Sequence, residues 1–206
     1  MASLMVIFIL LLVARLNNQA GMRAAVAGDV EKQLKATMSS ETRPQVGRDP
    51  RDPNTIVITV PEQLLSFDLQ DATLKPEGVR YLGDHIRPWA KVLCAPGIRP
   101  NIDTVVVEGH SDATRWQGST FEQSKEKNLT LSQQRSMAVV SNSISLLGDA
   151  PEFRDCLLQT LSATGRGEEE PADPTVVNSP KNRRVRFKIR LRPEISADVA
   201  RSLAGN

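Results

Sequence analysis

The β-branched run Thr104-Val105-Val106-Val107, closed by Gly109, constrains this 206-residue chain more than any other stretch. Such a run fits a strand covered on both faces better than an alternating edge strand. His110, Ser111 and Asp112 follow directly, so an apolar strand ends in a polar turn. In open α/β sheets such strand ends often carry ligands, although position alone assigns none. Downstream, Asn128-Leu-Thr-Leu-Ser-Gln-Gln-Arg135 reads as the capped start of a helix. Thr130 is the candidate N-cap and Ser132 the alternative, because Met137, Val140, Ile144 and Leu147 follow in steps of three and four. Arg135 then falls in the first or second turn, where the helix dipole disfavours a cation. A solvated arginine or a salt bridge would explain it, as would a bound anion.

Strands are also expected at Thr55 to Val60, at Leu161 to Thr164, and at Asn182 to Arg192. In the last of these Val185, Phe187, Ile189 and Leu191 alternate with Arg184, Arg186, Lys188 and Arg190, as in a half-exposed strand whose charges discourage edge pairing. A helix starts near Pro76, with its stripe at Val79, Leu82, Ile86, Trp89 and Val92/Leu93 and a kink expected at Pro88. A shorter helix is expected from Pro151 to Thr160. Residues 39–54 contain three prolines and little apolar content, and read as an extended spacer. Ahead of them, Val26, Val30, Leu34 and Met38 recur every four residues, as in a solvated or partner-packing helix.

The balance of 26 Lys+Arg against 24 Asp+Glu argues against a nucleic-acid partner. His85 and His110 are the only histidines, with no third ligand patterned nearby, so no metal or cofactor is expected. No nucleophile with a paired base and no phosphate-cradling glycine loop can be read, so the expectation is a binding protein and not an enzyme.

Four motifs occur in order: Gly109-His110-Ser111-Asp112, Asn128-x-x-Leu131-Ser132-x-x-Arg135, Gly165-Arg166-Gly167-Glu168 with Pro171, and Asn182-Arg183-Arg184-Val185. Together they resemble the OmpA C-terminal-like peptidoglycan-binding domain, as found in MotB-type stator subunits and Pal lipoproteins. The resemblance spans residues 56–192. It implies an α+β fold of βαβαβ type, a sandwich of a mixed sheet packed on two helices. It also implies binding of the diaminopimelate in the wall's stem peptide. Asp112 would take that residue's ammonium and Arg135 its carboxylate, for which a planar guanidinium fork is suited. Asn128 and the Leu131 and Ser132 amides would add donors at a helix N-terminus. Gly109, His110, Gly165, Gly167 and Asn182 would shape the supporting loops. Arg184 would either support the binding loop or stand as a solvated edge charge.

Residues 114–127 are an insert relative to the compact family loop, and Trp116 and Phe121 within it could line a glycan or tuck the loop onto the domain. Cys94 and Cys156 lie near expected helix ends. In an oxidising periplasm such a pair favours a disulfide over two buried free thiols.

Residues 1–14 are almost wholly apolar and end at Arg15. They are shorter than the roughly 20 residues of a spanning helix and lack the basic start of a signal peptide. The MotB resemblance makes them a partial transmembrane anchor whose beginning, where the family carries an ion-binding aspartate, is missing, either because the start is placed too late or because the copy is truncated. Arg15 and Arg23 would favour the cytoplasm by charge alone, whereas the resemblance puts the domain in the periplasm. The organisation expected is an inner-membrane anchor at 1–14, a stalk and linker at 15–54, the wall-binding domain at 55–192 and a tail at 193–206. A homodimer with a MotA-like membrane partner is implied, in a flagellar stator or a Zorya-type anti-phage defence motor. The alternative is a structural tether between membrane and wall.

Overall fold

The computed structural model describes residues 2–38, 44–68, 70–176 and 178–193, so the tail from 194 onward and residues 39–43 lie outside the described part. Five strands form one mixed sheet: β1 (Gln45–Asp49), β2 (Asp52–Pro61), β3 (Ile102–His110), β4 (Leu161–Gly165) and β5 (Arg184–Leu191), in the order β1-β2-β5-β3-β4. All neighbours are antiparallel except β3 and β4. The helices are α1 (Ala2–Ala36), α2 (Pro76–Leu93), α3 (Phe121–Ser145) and α4 (Pro151–Leu158). This is the expected α+β class.

Alternation decides which side of each strand is buried. Ile56 pairs with Ile189 and Ile58 with Phe187, while Val105 and Val107 oppose the same two residues from β3. These side chains form the floor of one core, closed by Leu82, Ile86, Trp89 and Leu93 of α2. Trp89 meets Phe187 edge-on with centroids 5.2 Å apart, a favoured aromatic arrangement. Pro76 occupies the first turn of α2, and Pro88 lies inside the helix without ending it. Cys94 and Cys156 form a disulfide that ties the C-terminal end of α2 to α4.

Several local expectations change. β5 is central and not an edge: β2 and β3 flank it. Its outward charges are neutralised instead, because Lys188 reaches Asp49 and Glu108 at 3.4 and 3.3 Å and Arg186 reaches Glu108 at 3.3 Å. The same charged ladder covers the second face of β3, where Glu108 is buried and Val106 half-buried, so that strand is not apolar on both sides. Residues 45–54, read as spacer, belong to the sheet: β1 pairs with β2, and β2 starts at Asp52.

Helix α1 is continuous from Ala2 to Ala36. Leu4 to Val13 and Leu16 are exposed, and the helix is long and apolar enough to cross a membrane. Its other end is not solvated: Val26, Ala27, Val30, Leu34 and Met38 are buried in the domain core. Arg48 of β1 locks this packing by donating to Glu31 at 2.9 Å. The four-residue spacing is therefore a core stripe.

Candidate functional site

The strand register brings three chain segments to one rim. Pro61 at the end of β2 and His110 at the end of β3 both lie opposite Arg184 at the start of β5. Glu62, Ser111, Asp112 and Arg183, each just outside its strand, consequently converge there. Asp112 Oδ1 accepts from the Thr114 amide at 3.1 Å, and Oδ2 accepts from Arg183 at 2.5 Å. Arg183 also donates to Glu62. Burial opposes the Arg183 charge, but the hydrogen bonds to Glu62 and Asp112 outweigh it and raise its pKa.

Helix α3 lies across this rim and presents Asn128, Leu131 and Arg135, whose spacing of three and four puts them on one face. The segment after β2 completes the enclosure with Phe67, Asp68 and Lys75. All of these except the strand residues line one cavity of about 600 Å³. Its walls carry Glu62, Asp68 and Asp112 against Lys75, Arg135 and Arg183. Charges of both signs held side by side suit a zwitterionic group.

The start of α3 differs from expectation, and the difference matters for the chemistry. Thr120, not Thr130, is the N-cap: its hydroxyl accepts from the Gln123 amide, and the Gln123 side chain accepts from the Thr120 amide. The latter part of the insert is therefore helix. Arg135 lies in the helix interior, so the dipole reasoning does not apply to it. The Leu131 and Ser132 amides lie inside the helix, not among the free donors of its first turn. Leu131 contributes its apolar side chain to the wall instead.

Arg135 is buried and has partners of its own. Nε donates to the Asp71 carbonyl at 2.9 Å and Nη2 to the Asp68 carbonyl at 3.1 Å, while Nη1 stands 3.9 Å from Glu62. The guanidinium also lies 4.9 Å from the Phe67 ring centroid. Burial pulls its pKa below the usual value, and the neighbouring Glu62 opposes that shift.

The remaining motif residues brace the rim from behind. Ser132 Oγ accepts from the Gly167 amide at 2.8 Å, and Gly167 has the positive φ that favours glycine. Gly109 and Gly165 are where α3 meets the sheet: a Cβ on Gly109 would strike the Ser132 backbone, and one on Gly165 would sit 2.5 Å from the Gln133 amide. Arg184 is buried and donates to the Asn182 and Glu170 carbonyls at 3.1 and 2.6 Å, so it supports the loop and is not a solvated charge. Burial lowers its pKa to about 10, leaving it charged at neutral pH. Asn182 accepts from the Asp173 amide at 2.8 Å and closes the loop before β5. His110 is buried, with Nε2 3.0 Å from Glu108 and Nδ1 3.2 Å from the Glu169 carbonyl.

The structure thus brings Asp112, Arg135, Asn128 and Leu131 together on one cavity, and places Ser132, Arg184 and His110 behind it. Sequence reasoning missed Arg183, Glu62, Asp68 and Lys75 as cavity residues. Arg183 stood within a recognised motif, but one residue outside the strand its side-chain direction cannot be read from alternation. In the insert, Trp116 tucks against Asn128, whereas Phe121 is exposed beneath the Arg115 guanidinium, 3.7 Å from its centroid. No histidine or cysteine is among the residues lining the cavity. No group of three or more His, Cys, Asp or Glu residues that could hold a metal occurs among the described residues.

No protein-family model matches the chain, and no curated protein matches it. Among solved structures, a MotB-like protein from Desulfovibrio vulgaris superposes with a TM-score of 0.56 at 20% identity, covering 85% of this chain and 94% of that one. The periplasmic domain of Helicobacter pylori MotB gives 0.48 at 18% identity, over 73% of this chain and 80% of that one. The T6SS cell wall anchor of Pseudomonas aeruginosa gives 0.47 at 25% identity, over 81% and 97%. The chain therefore shares the fold of that MotB-like protein.

Proposed function

We propose that this chain is a membrane-anchored, periplasmic module that binds peptidoglycan without covalent chemistry, through the diaminopimelate of the stem peptide. The observation that carries the reading is the convergence of Asp112, Arg135 and Asn128 on one cavity whose walls alternate in charge. The ligand's ammonium meets the Asp112 carboxylate from the cavity side. Its carboxylate meets Arg135 Nη1 and Arg183, which supply the fork that a carboxylate fits bidentately. Helix α1 supplies the inner-membrane anchor. The likeness to a MotB-like protein supports a wall-anchoring subunit that works as a homodimer beside a MotA-like partner, in a flagellar or a phage-defence motor.

The test is sedimentation of the full chain, in detergent, with diaminopimelate-type peptidoglycan. Asp112→Asn and Arg135→Lys should each lower the bound fraction at least tenfold with circular dichroism unchanged. Lysine-type peptidoglycan, whose stem lacks the second carboxylate, should bind more weakly. Equal binding by parent and both variants would reject the reading.

A further inference from the structure

Three features stand apart from the Asp112 and Arg135 pair: the charged ladder on the open sheet face, the groove near Glu168 and Asp173, and the aromatic wall at Trp116. The ladder is internally neutralised, and in the groove Lys125 already stands 3.6 Å from Glu168 and 3.9 Å from Glu169. The wall at Trp116 carries an inference.

Trp116 is held from three directions. Its indole Nε1 donates to Asn128 Oδ1 at 2.8 Å, its amide donates to Ser124 Oγ at 3.2 Å, and Lys127 Nζ lies 5.5 Å from its ring centroid. The ring is half-buried and lines the same cavity as Asp112 and Arg135. A fixed, partly exposed indole with its N–H already satisfied offers an apolar plate and no unmet donor. The cavity, at about 600 Å³, is the size that encloses a drug-sized ligand. A single amino-acid zwitterion occupies only its charged end. Between the charged pair and Trp116 stand Thr114, whose amide holds Asp112 Oδ1, and Asn128, which holds the indole, groups that can reach hydroxyl or amide substituents.

We propose that Trp116 forms a saccharide subsite, in which the apolar face of a pyranose ring of the glycan packs on the indole while the attached peptide reaches Asp112 and Arg135. This deepens the wall-binding reading and rests on it. The ring is already immobilised, so little ordering entropy is lost when the sugar docks. Asn128 joins the two ends, because it holds Trp116 through Oδ1 and the 114 and 168 loops through Nδ2, at 3.3 Å to each.

The experiment titrates the full chain in detergent with two probes, a diaminopimelate tripeptide and the same tripeptide attached to its N-acetylglucosaminyl-N-acetylmuramyl disaccharide. The parent should bind the disaccharide form about tenfold more tightly, equivalent to about 1.4 kcal/mol. In Trp116→Leu that ratio should fall to about one. Trp116→Phe, which keeps a ring but loses the N–H bond to Asn128, should retain most of it and so separates stacking from support of Asn128. Equal affinity of the parent for both probes overturns the sugar subsite and leaves the peptide site standing. Loss of the ratio in both Trp116→Phe and Trp116→Leu also overturns it, because the hydrogen bond would then be the cause. Binding of neither probe overturns both readings.

Discussion

Acid should weaken the fold in two steps traceable to neighbouring residues of β3. Burial pushes the His110 imidazole below its ordinary pKa, against the Glu108 contact. The unfolded chain therefore takes up the proton first, and stability falls as pH drops below about 6.5. Burial alone raises the Glu108 carboxyl, but the His110 hydrogen bond and the Lys188 and Arg186 charges outweigh it and hold the pKa at about 2. That contribution is complete above the unfolded value near 4.5 and is lost as pH falls toward about 2. Urea unfolding between pH 8 and 3 should show both slopes, and Glu108→Gln should reduce the lower one, to which Glu31, Asp52 and Glu170 also contribute through their lowered pKa values. A buried ion cluster stripped of one partner typically loses about 3 kcal/mol. Gly165→Ala should separate α3 from β4 and cost about 2 kcal/mol by overpacking, lowering both the unfolding midpoint and peptidoglycan binding. The motif glycines were legible in the sequence as support residues. That their role is direct contact between helix and strand followed only from the packing.

At the scale of elements, α3 shows where local signals compete. Thr130 and Thr120 are both hydroxyl residues ahead of the Met137 to Leu147 stripe. Each is followed three residues on by a glutamine, but Gln123 closes a reciprocal cap on Thr120 whereas Gln133 is turned to the Gly165 amide and the Ala163 carbonyl of β4. Thr120→Ala should cost about 1 kcal/mol and speed hydrogen exchange of the first turn while sparing the residues near Arg135. The buried end of α1 makes a larger claim. Leu34 is fully buried in the core, so Leu34→Ala should destabilise the domain by about 2 to 5 kcal/mol. A surface helix would lose less than about 0.5 kcal/mol at such a position. Thermal unfolding of the full chain in detergent distinguishes the two. The spacing of Val26, Val30 and Leu34 was visible in the sequence, but a periodic stripe does not say whether a surface exists to receive it.

For the whole molecule, the disulfide links residues separated by 62 positions and spans from the end of α2 to α4. Closing a loop of that length removes enough unfolded-state entropy to contribute about 4 kcal/mol. Reduction, or the Cys94→Ser/Cys156→Ser pair, should lower the thermal midpoint by several degrees, with the fold retained below the transition the variant then shows. The sequence by itself determined most strands and the start of α2, and its family resemblance gave the class of fold and set Asp112 beside Arg135, which do line one cavity. These depend on side-chain period, on proline and glycine, and on motifs that each lie within one segment. Only the tertiary structure decided that β5 is central, that 45–54 joins the sheet, that α1 docks onto the core and that Arg183 and Glu62 enter the cavity. Each of those depends on which distant residue stands opposite. Burial and ion pairing are set by the partner across the sheet, and the periodicity of a single segment does not contain that information.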